Sequence, residues 1–251
     1  MTTALSVNLN KVALLRNSRD GDYPSVVEHA KVCITAGANG ITVHPRPDQR
    51  HIRPQDAHDL SALLKQHPEL EFNIEGNPFA GPNANGYPGF IELVTALRPH
   101  QATLVPDSDD QLTSDHGFNL RTAGDSLKPI IDSLKQQGIR VSLFMDPDLE
   151  QISLAKAIGA DRIELYTGPY AAAWNRPELE AIFQQHHRAA QHAGDIGLGV
   201  NAGHDLNLDN LGKYATIPDL LEVSIGHALT VDSLAMGMAS AVKAYREVLQ
   251  Q

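Results

Sequence analysis

Ala36-Gly37-Ala38-Asn39-Gly40-Ile41 and Ile158-Gly159-Ala160-Asp161-Arg162-Ile163 are near copies of one another at distant points of the chain. In each, a helix-like stretch meets a glycine, a polar residue follows, and an apolar run begins. A glycine just past a helix takes the left-handed conformation that ends it. Both copies therefore read as turns from a helix into a strand. Gln137-Gly138-Ile139 and Ala193-Gly194-Asp195 read the same way, more loosely. A turn used repeatedly implies a repeated helix–strand unit.

Working outward from these turns, the sequence predicts strands at Leu5–Leu9, Gly40–His44, Leu70–Ile74, Ala102–Val105, Arg140–Met145, Arg162–Tyr166, Gly197–Asn201 and Leu221–Ile225. That is about eight strands, the number that closes a parallel barrel. Parallel strands are covered on both faces, so they should read as continuous apolar runs, as Ile41-Thr42-Val43 and Val141-Ser142-Leu143-Phe144-Met145 do. Helices are expected at Pro24–Ala36, Pro54–Gln66, Gly89–Leu97, Ser126–Gln137, Pro147–Ile158, Pro177–Ala193 and Val231–Gln250, with a shorter one after Leu208. Asn77–Pro88 and Asp107–Asp125 break the rhythm and read as loops; long loops inside compact domains usually serve binding. The expected architecture is α/β, a single (β/α)8 TIM barrel with additional helices or loops. One catalytic domain would span 1–251, with a flexible active-site loop at about 107–125. An open doubly wound sheet is the alternative, but no Gly-x-Gly-x-x-Gly follows any strand.

Composition narrows the partners. Hydrophobic residues are 42% of the 251 and charged residues 20%, a balance that excludes wholesale disorder. With 20 basic against 30 acidic residues the formal charge is −10, which argues against non-specific binding to nucleic acid or an anionic membrane. A small anionic substrate is not excluded, because a few local cations can dominate one pocket. No apolar run approaches the length of a membrane span. Cys33 is the single cysteine and cannot form an intrachain disulfide, which fits a reducing cytosol. Met1-Thr2-Thr3-Ala4-Leu5 lacks the basic and long apolar regions of a secretory signal. A cytoplasmic location is expected.

In a β/α barrel the chemistry sits at the C-terminal ends of the strands. Those ends carry Asn8, Asn10 and Lys11; His44 and Arg46; Asn73 and Glu75; Asp107; Asp146; Glu164 and Thr167; Asn201 and His204; Ser224 and His227. So many polar groups exceed what a packed core needs. His44 reads as a catalytic base or as a strand-end cap. Glu75 at the catalytic end suits proton transfer, since burial raises a carboxyl pKa; a surface-exposed strand end is the alternative. Glu71, at the start of its strand, reads as structural or solvated. His204 and His227 each follow a glycine, after the seventh and eighth strands where phosphate sites of this architecture lie. Arg46 and His51 look like anion ligands, whereas Asp107-Ser108-Asp109-Asp110 reads as a solvated loop face. The first strand lacks a His-x-His pair, no P-loop or Gly-x-Ser-x-Gly elbow is present, and Lys11 is the only lysine near a strand end. Metal binding through His44, His204, His227 and a carboxylate stays open.

The segments Ser6-Val7-Asn8-Leu9-Asn10, Leu15-Arg16-Asn17-Ser18-Arg19, Gly40-Ile41-Thr42-Val43-His44-Pro45-Arg46, Arg50-His51-Ile52, Asn73-Ile74-Glu75, Ile163-Glu164-Leu165-Tyr166-Thr167-Gly168, Val200-Asn201-Ala202-Gly203-His204 and Ile225-Gly226-His227-Ala228 together resemble the pyridoxine 5′-phosphate synthase family. They run in order from the first strand to the last. The resemblance implies a cofactor-free, metal-free barrel that assembles as a homo-octamer. Its substrates would be 3-amino-2-oxopropyl phosphate and 1-deoxy-D-xylulose 5-phosphate, and its products pyridoxine 5′-phosphate, inorganic phosphate and water. It implies that His44 and Glu75 accept protons, His204 donates one, and Glu164 stabilises the transition state. Asn8, Arg19, Asp205, Gly226 and His227 would hold the aminoketone phosphate. Asn10, Lys11, Arg46, His51 and Thr113 would hold the pentulose phosphate. Better-known members carry Asp-His in place of Asn10-Lys11 and a glycine in place of Asp205. A metal-dependent phosphosugar aldolase or isomerase, and a non-catalytic phosphosugar-binding protein, are the competing functions.

Overall fold

The computed structural model describes residues 2–250. Eight parallel strands, β1 (Ala4–Asn8), β2 (Gly40–Val43), β3 (Glu71–Gly76), β4 (Gln101–Leu104), β5 (Arg140–Met145), β6 (Arg162–Tyr166), β7 (Gly199–Gly203) and β8 (Leu220–Ile225), close in sequence order, β1 pairing with β8. The eleven helices among the described residues are α1 (Asn10–Asn17), α2 (Val26–Thr35), α3 (Pro54–Leu64), α4 (Phe90–Leu97), α5 (Leu120–Gln136), α6 (Leu149–Ala157), α7 (Gly168–Ala172), α8 (Leu179–Asp195), α9 (Leu211–Tyr214), α10 (His227–Met236) and α11 (Met238–Leu249). No helix of the described residues is long and apolar enough to cross a membrane.

The two near-copy turns do the same job. Gly37 and Gly159 sit at φ +100° and +97°, ending α2 and α6. The polar residue two places on then ties the new strand to its neighbour. Asn39 Oδ1 accepts from Leu5 N at 3.0 Å, and Asp161 Oδ2 accepts from Val141 N at 2.9 Å. Their backbone N–H groups return to the carbonyls of the same two residues.

The strands do not read as continuous apolar runs; they alternate. Leu5, Val7, Ile41, Val43, Phe72, Ile74, Val141, Leu143, Ile163 and Leu165 are buried in the hydrophobic core. Residues of the other parity are polar and bond across the barrel: Gln101 on β4 accepts from Asn201 on β7, at 3.4 Å. A side-chain bond between non-neighbouring strands requires both groups to point inward. The barrel is therefore polar inside and apolar outside, where barrels of this class usually fill the interior with Val, Ile and Leu.

Several boundaries differ from the sequence reading. α2 begins after Ser25, whose hydroxyl caps it by accepting from Glu28 N at 3.2 Å, so Pro24 precedes the helix. α8 continues through Gly194, and the turn falls on Gly197 at φ +75°. The expected helix Val231–Gln250 is two helices, broken at Gly237 with φ +84°. α5 starts at Leu120, so the loop after β4 is shorter than 107–125. α1 and α7 were not anticipated. Val12–Leu15 is an unbroken apolar run with no stripe, and Gly168-Pro169 reads as a turn.

Candidate active site

The C-terminal mouth of the barrel opens on a cavity of about 380 Å³. Of the fourteen residues assigned from the sequence, it is lined by all but Arg19: Asn8, Asn10, Lys11, His44, Arg46, His51, Glu75, Thr113, Glu164, His204, Asp205, Gly226 and His227. Arg19 is exposed, beyond the end of α1.

The floor holds two carboxyl groups. Glu75 lies near the end of β3 and points inward, as the bonds from non-neighbouring strands require. Asn8 Nδ2 donates to its Oε2 at 3.4 Å and Ser224 Oγ to its Oε1 at 3.5 Å, both at the long limit of a hydrogen bond. Burial raises its pKa to about 8, with Asp107 and Glu222 adding to the rise. Glu164, in the middle of β6, is 3% exposed, and its Oε2 has no hydrogen-bond partner. Burial first, then Glu75 and Glu222, push its carboxyl well above the usual range. Gly203 makes the space for it, since a Cβ there would stand 2.1 Å from Glu164 Oε1. A buried carboxyl without a cation is costly unless it is neutral or in use.

His44 follows β2, with Nδ1 3.9 Å from Glu75 Oε2. Burial lowers its pKa well below the usual value, and Arg46, His51, Arg50 and His204 lower it further. It is thus a neutral imidazole beside a high-pKa carboxyl, a pair suited to passing protons. Its backbone N–H donates to Asn10 Oδ1 at 2.9 Å, which fixes the β1 and β2 ends together. His51 is also neutral, its pKa lowered to about 3 chiefly by burial. Its Nδ1 accepts from Ile52 N at 2.9 Å, leaving Nε2–H as the donor.

The wall is cationic and tied to the loop after β4. Arg46 is ion-paired to Asp107, and Ser114 Oγ donates to the same carboxylate at 2.7 Å. Arg50 donates to the carbonyls of Gln111 at 2.9 Å and Leu112 at 3.2 Å. Asp107 is therefore not a solvated loop residue; it is 4% exposed and sits behind Arg46. Opposite, Thr113 Oγ1 lies 2.8 Å from His204 Nε2. Gly226 lets Asn8 pack close, since a Cβ there would stand 3.0 Å from Asn8 Cβ and push against it. It precedes α10, whose first residue, His227, also lines the cavity.

Sequence reasoning missed Asp107, Ser114 and Glu222 as contributors. Glu222 shares its parity with Ser224 on β8, which is the one signal that could have found it. Among the described residues, no three His, Cys, Asp or Glu side chains gather as a metal-ligating set.

The chain is 55% identical over 250 residues to pyridoxine 5′-phosphate synthase of Xanthomonas campestris pv. campestris, covering 99% of this chain and 97% of that one. It is 53% identical over 248 residues to the same-named protein of Xylella fastidiosa, covering 98% and 95%. A solved chain from Aquifex aeolicus VF5 superposes with a TM-score of 0.66 at 15% identity, over 99% of this chain and 94% of that one, which is a likeness of fold alone. The family model for pyridoxal phosphate biosynthesis protein PdxJ matches residues 5–251. The chain belongs to the PdxJ family.

Proposed function

We propose that this protein is a pyridoxine 5′-phosphate synthase, condensing 3-amino-2-oxopropyl phosphate with 1-deoxy-D-xylulose 5-phosphate by general acid/base catalysis. The observation that carries this reading is the full-length kinship with proteins of that name. Building an aromatic ring from two ketones requires carbinolamine formation, dehydration and aldol-type closure, each with proton transfers. Neutral His44 and, in its ionised form, Glu75 serve as proton acceptors, and His204 as the donor. Glu164 is assigned to stabilise the transition state, since its buried Oε2 has no hydrogen-bond partner in the protein and is open to a group of the substrate.

The two phosphates are assigned to the two walls. Asn8, Gly226, His227 and the backbone N–H of Asp205 would hold the aminoketone phosphate at the start of α10, where free N–H groups favour an anion. Asn10, Lys11, Arg46, His51 and Thr113 would hold the pentulose phosphate. The loop after β4 would open to admit the substrates and close over them to exclude water. Arg19 is exposed and outside its own chain's cavity, so its assignment is proposed together with a homo-octameric assembly that would bring it to a neighbour's mouth. We also place the protein in the cytoplasm, as one catalytic domain over 1–251.

Purified protein should form pyridoxine 5′-phosphate from the two substrates with EDTA present. No product, or product only on adding metal, would sink this reading; stoichiometric bound zinc or manganese would favour an aldolase or isomerase, and ligand binding without product a binding protein. His44→Ala should lower turnover by about a hundredfold or more while sparing ligand binding. Unchanged turnover would remove His44 from the mechanism.

A further inference from the structure

Asp205 occupies a backbone position that suits glycine. Leaving β7, His204 and Asp205 take φ values of +87° and +59°, in the region disfavoured for any residue with a Cβ. The surroundings hold them there. Thr167 Oγ1 donates to the carbonyls of Gly203 and His204, and Asn210 Nδ2 donates to the carbonyl of Asp205 at 3.3 Å. In this conformation the Asp205 carboxylate turns back onto the preceding ring, with Oδ2 3.0 Å from His204 Nδ1. On the other side of the ring, Nε2 is 2.8 Å from Thr113 Oγ1 and faces the cavity. Tyr166 packs its ring edge against the imidazole at a centroid distance of 5.5 Å.

The hydrogen-bond chemistry fixes the proton on one ring nitrogen. The hydrogen bond from His204 holds the Asp205 carboxyl below its usual range, helped by the charges of His204, His227 and Lys11. An ionised carboxylate only accepts, so Nδ1 must donate. In the neutral ring Nε2 then carries the lone pair, and the Thr113 hydroxyl donates to it. Free imidazole in water favours the other tautomer, so the carboxylate reverses the default.

We propose that Asp205 is a positioning residue, whose carboxylate locks His204 as the Nδ1–H tautomer and leaves Nε2 as the one nitrogen that takes up and releases a proton. The proposal rests on the reading of His204 as the acid/base group. Thr113 Oγ1 then marks where a substrate oxygen would meet Nε2, within proton-transfer reach. Lys11 and Asp205 also make sense together, since the added cation and the added anion flank the same mouth.

Asp205→Gly tests this without threatening the fold, because glycine is at ease at φ +59°. With the imidazoles labelled in 15N, long-range 1H–15N spectra of the wild type should show His204 as Nδ1–H. Asp205→Gly should show Nε2–H. Its kcat should fall about tenfold, a part of what positioned proton transfer supplies, with KM for both substrates within about twofold and an undiminished melting temperature. An Nε2–H ring in the wild type overturns the proposal. So does an unchanged kcat, or a raised KM alone, which would make Asp205 a substrate contact. Full turnover in His204→Ala would instead overturn the acid/base reading of His204, and the tautomer spectrum separates the two because it does not depend on turnover.

Discussion

Glu71 and Glu75 lie on one strand and one face, at opposite mouths of the same barrel, and their chemistry is opposite. At the N-terminal mouth Glu71 is clasped by Arg140, which also donates to Gln101 Oε1 at 2.9 Å. Arg162 donates to Asn201 Oδ1 at 3.1 Å, and Asn201 reaches Glu222 Oε1 at 3.5 Å. The Arg140 guanidinium outweighs burial and holds Glu71 below the usual carboxylate range. At the C-terminal mouth, Arg46 and Arg50 are engaged by Asp107 and by loop carbonyls, and neither hydrogen-bonds Glu75 or Glu164. Those two carboxyls therefore keep high pKa values. At the lower mouth Glu71 is paired with an arginine, although burial still raises Glu222 to about 7, whereas neither carboxyl of the upper mouth has an arginine on it. What separates structure from function here is the placement of arginines, not of carboxylates.

The largest expected effect tests the upper mouth. Glu75→Gln should lower kcat by about a thousandfold, within the range of general acid/base catalysis, while stability holds or rises because a poorly paired buried acid is removed. Turnover and thermal melting on the same preparation check it. A loss of stability matching the loss of rate would make Glu75 structural, and the contrast would fail.

Arg140→Met tests the lower mouth in the other direction. It strands Glu71 and Gln101, and should cost about 1–2 kcal/mol, less than a fully buried pair, because both side chains are partly exposed and screened. Urea titration reads this, and kcat/KM should change by less than about twofold. Lost activity in a folded variant would show that the lower mouth also serves the reaction.

The smallest effect is on pH. Glu222 at about 7 and Glu75 at about 8 hold protons in the folded state that they release near 4.5 when unfolded. Their contribution to stability is full below 4.5 and is lost as pH rises through 7 and 8. The buried imidazoles act oppositely. His51 at about 3 and His186 at about 4 are neutral when folded, so stability rises with pH up to their unfolded value near 6.5 and is flat beyond. Melting temperature should therefore stay level between about pH 4.5 and 6.5, where the two carboxyls and the two imidazoles offset one another, and fall from there toward pH 8. In Glu75→Gln the fall should be shallower, and an unchanged slope would contradict the high Glu75 pKa.

Much of the site was legible because a barrel collects its strand ends. Once Asn8, His44, Glu75, Glu164, His204 and His227 are placed near the ends of parallel strands, closure brings them to one mouth. The inward face was misread as apolar because Thr42 and Ser142 each stand between large apolar neighbours, and a short run does not reveal which parity faces in. Asp107 looked solvated because three acidic or polar residues follow it. Its burial depends on Arg46, 61 positions away.

Local chemistry in the sequence determined the repeated turn, the strand count and the residue types at each strand end. These follow from glycine's left-handed freedom and from alternation with helices, which act over a few residues. The tertiary structure alone decided which carboxylates met an arginine, that Gly203 would leave room for Glu164, and that Asp205 would fold back on His204. The first two depend on side chains far apart in the chain, which closure of the barrel brings together, and the third on backbone angles that Thr167 and Asn210 hold from other segments.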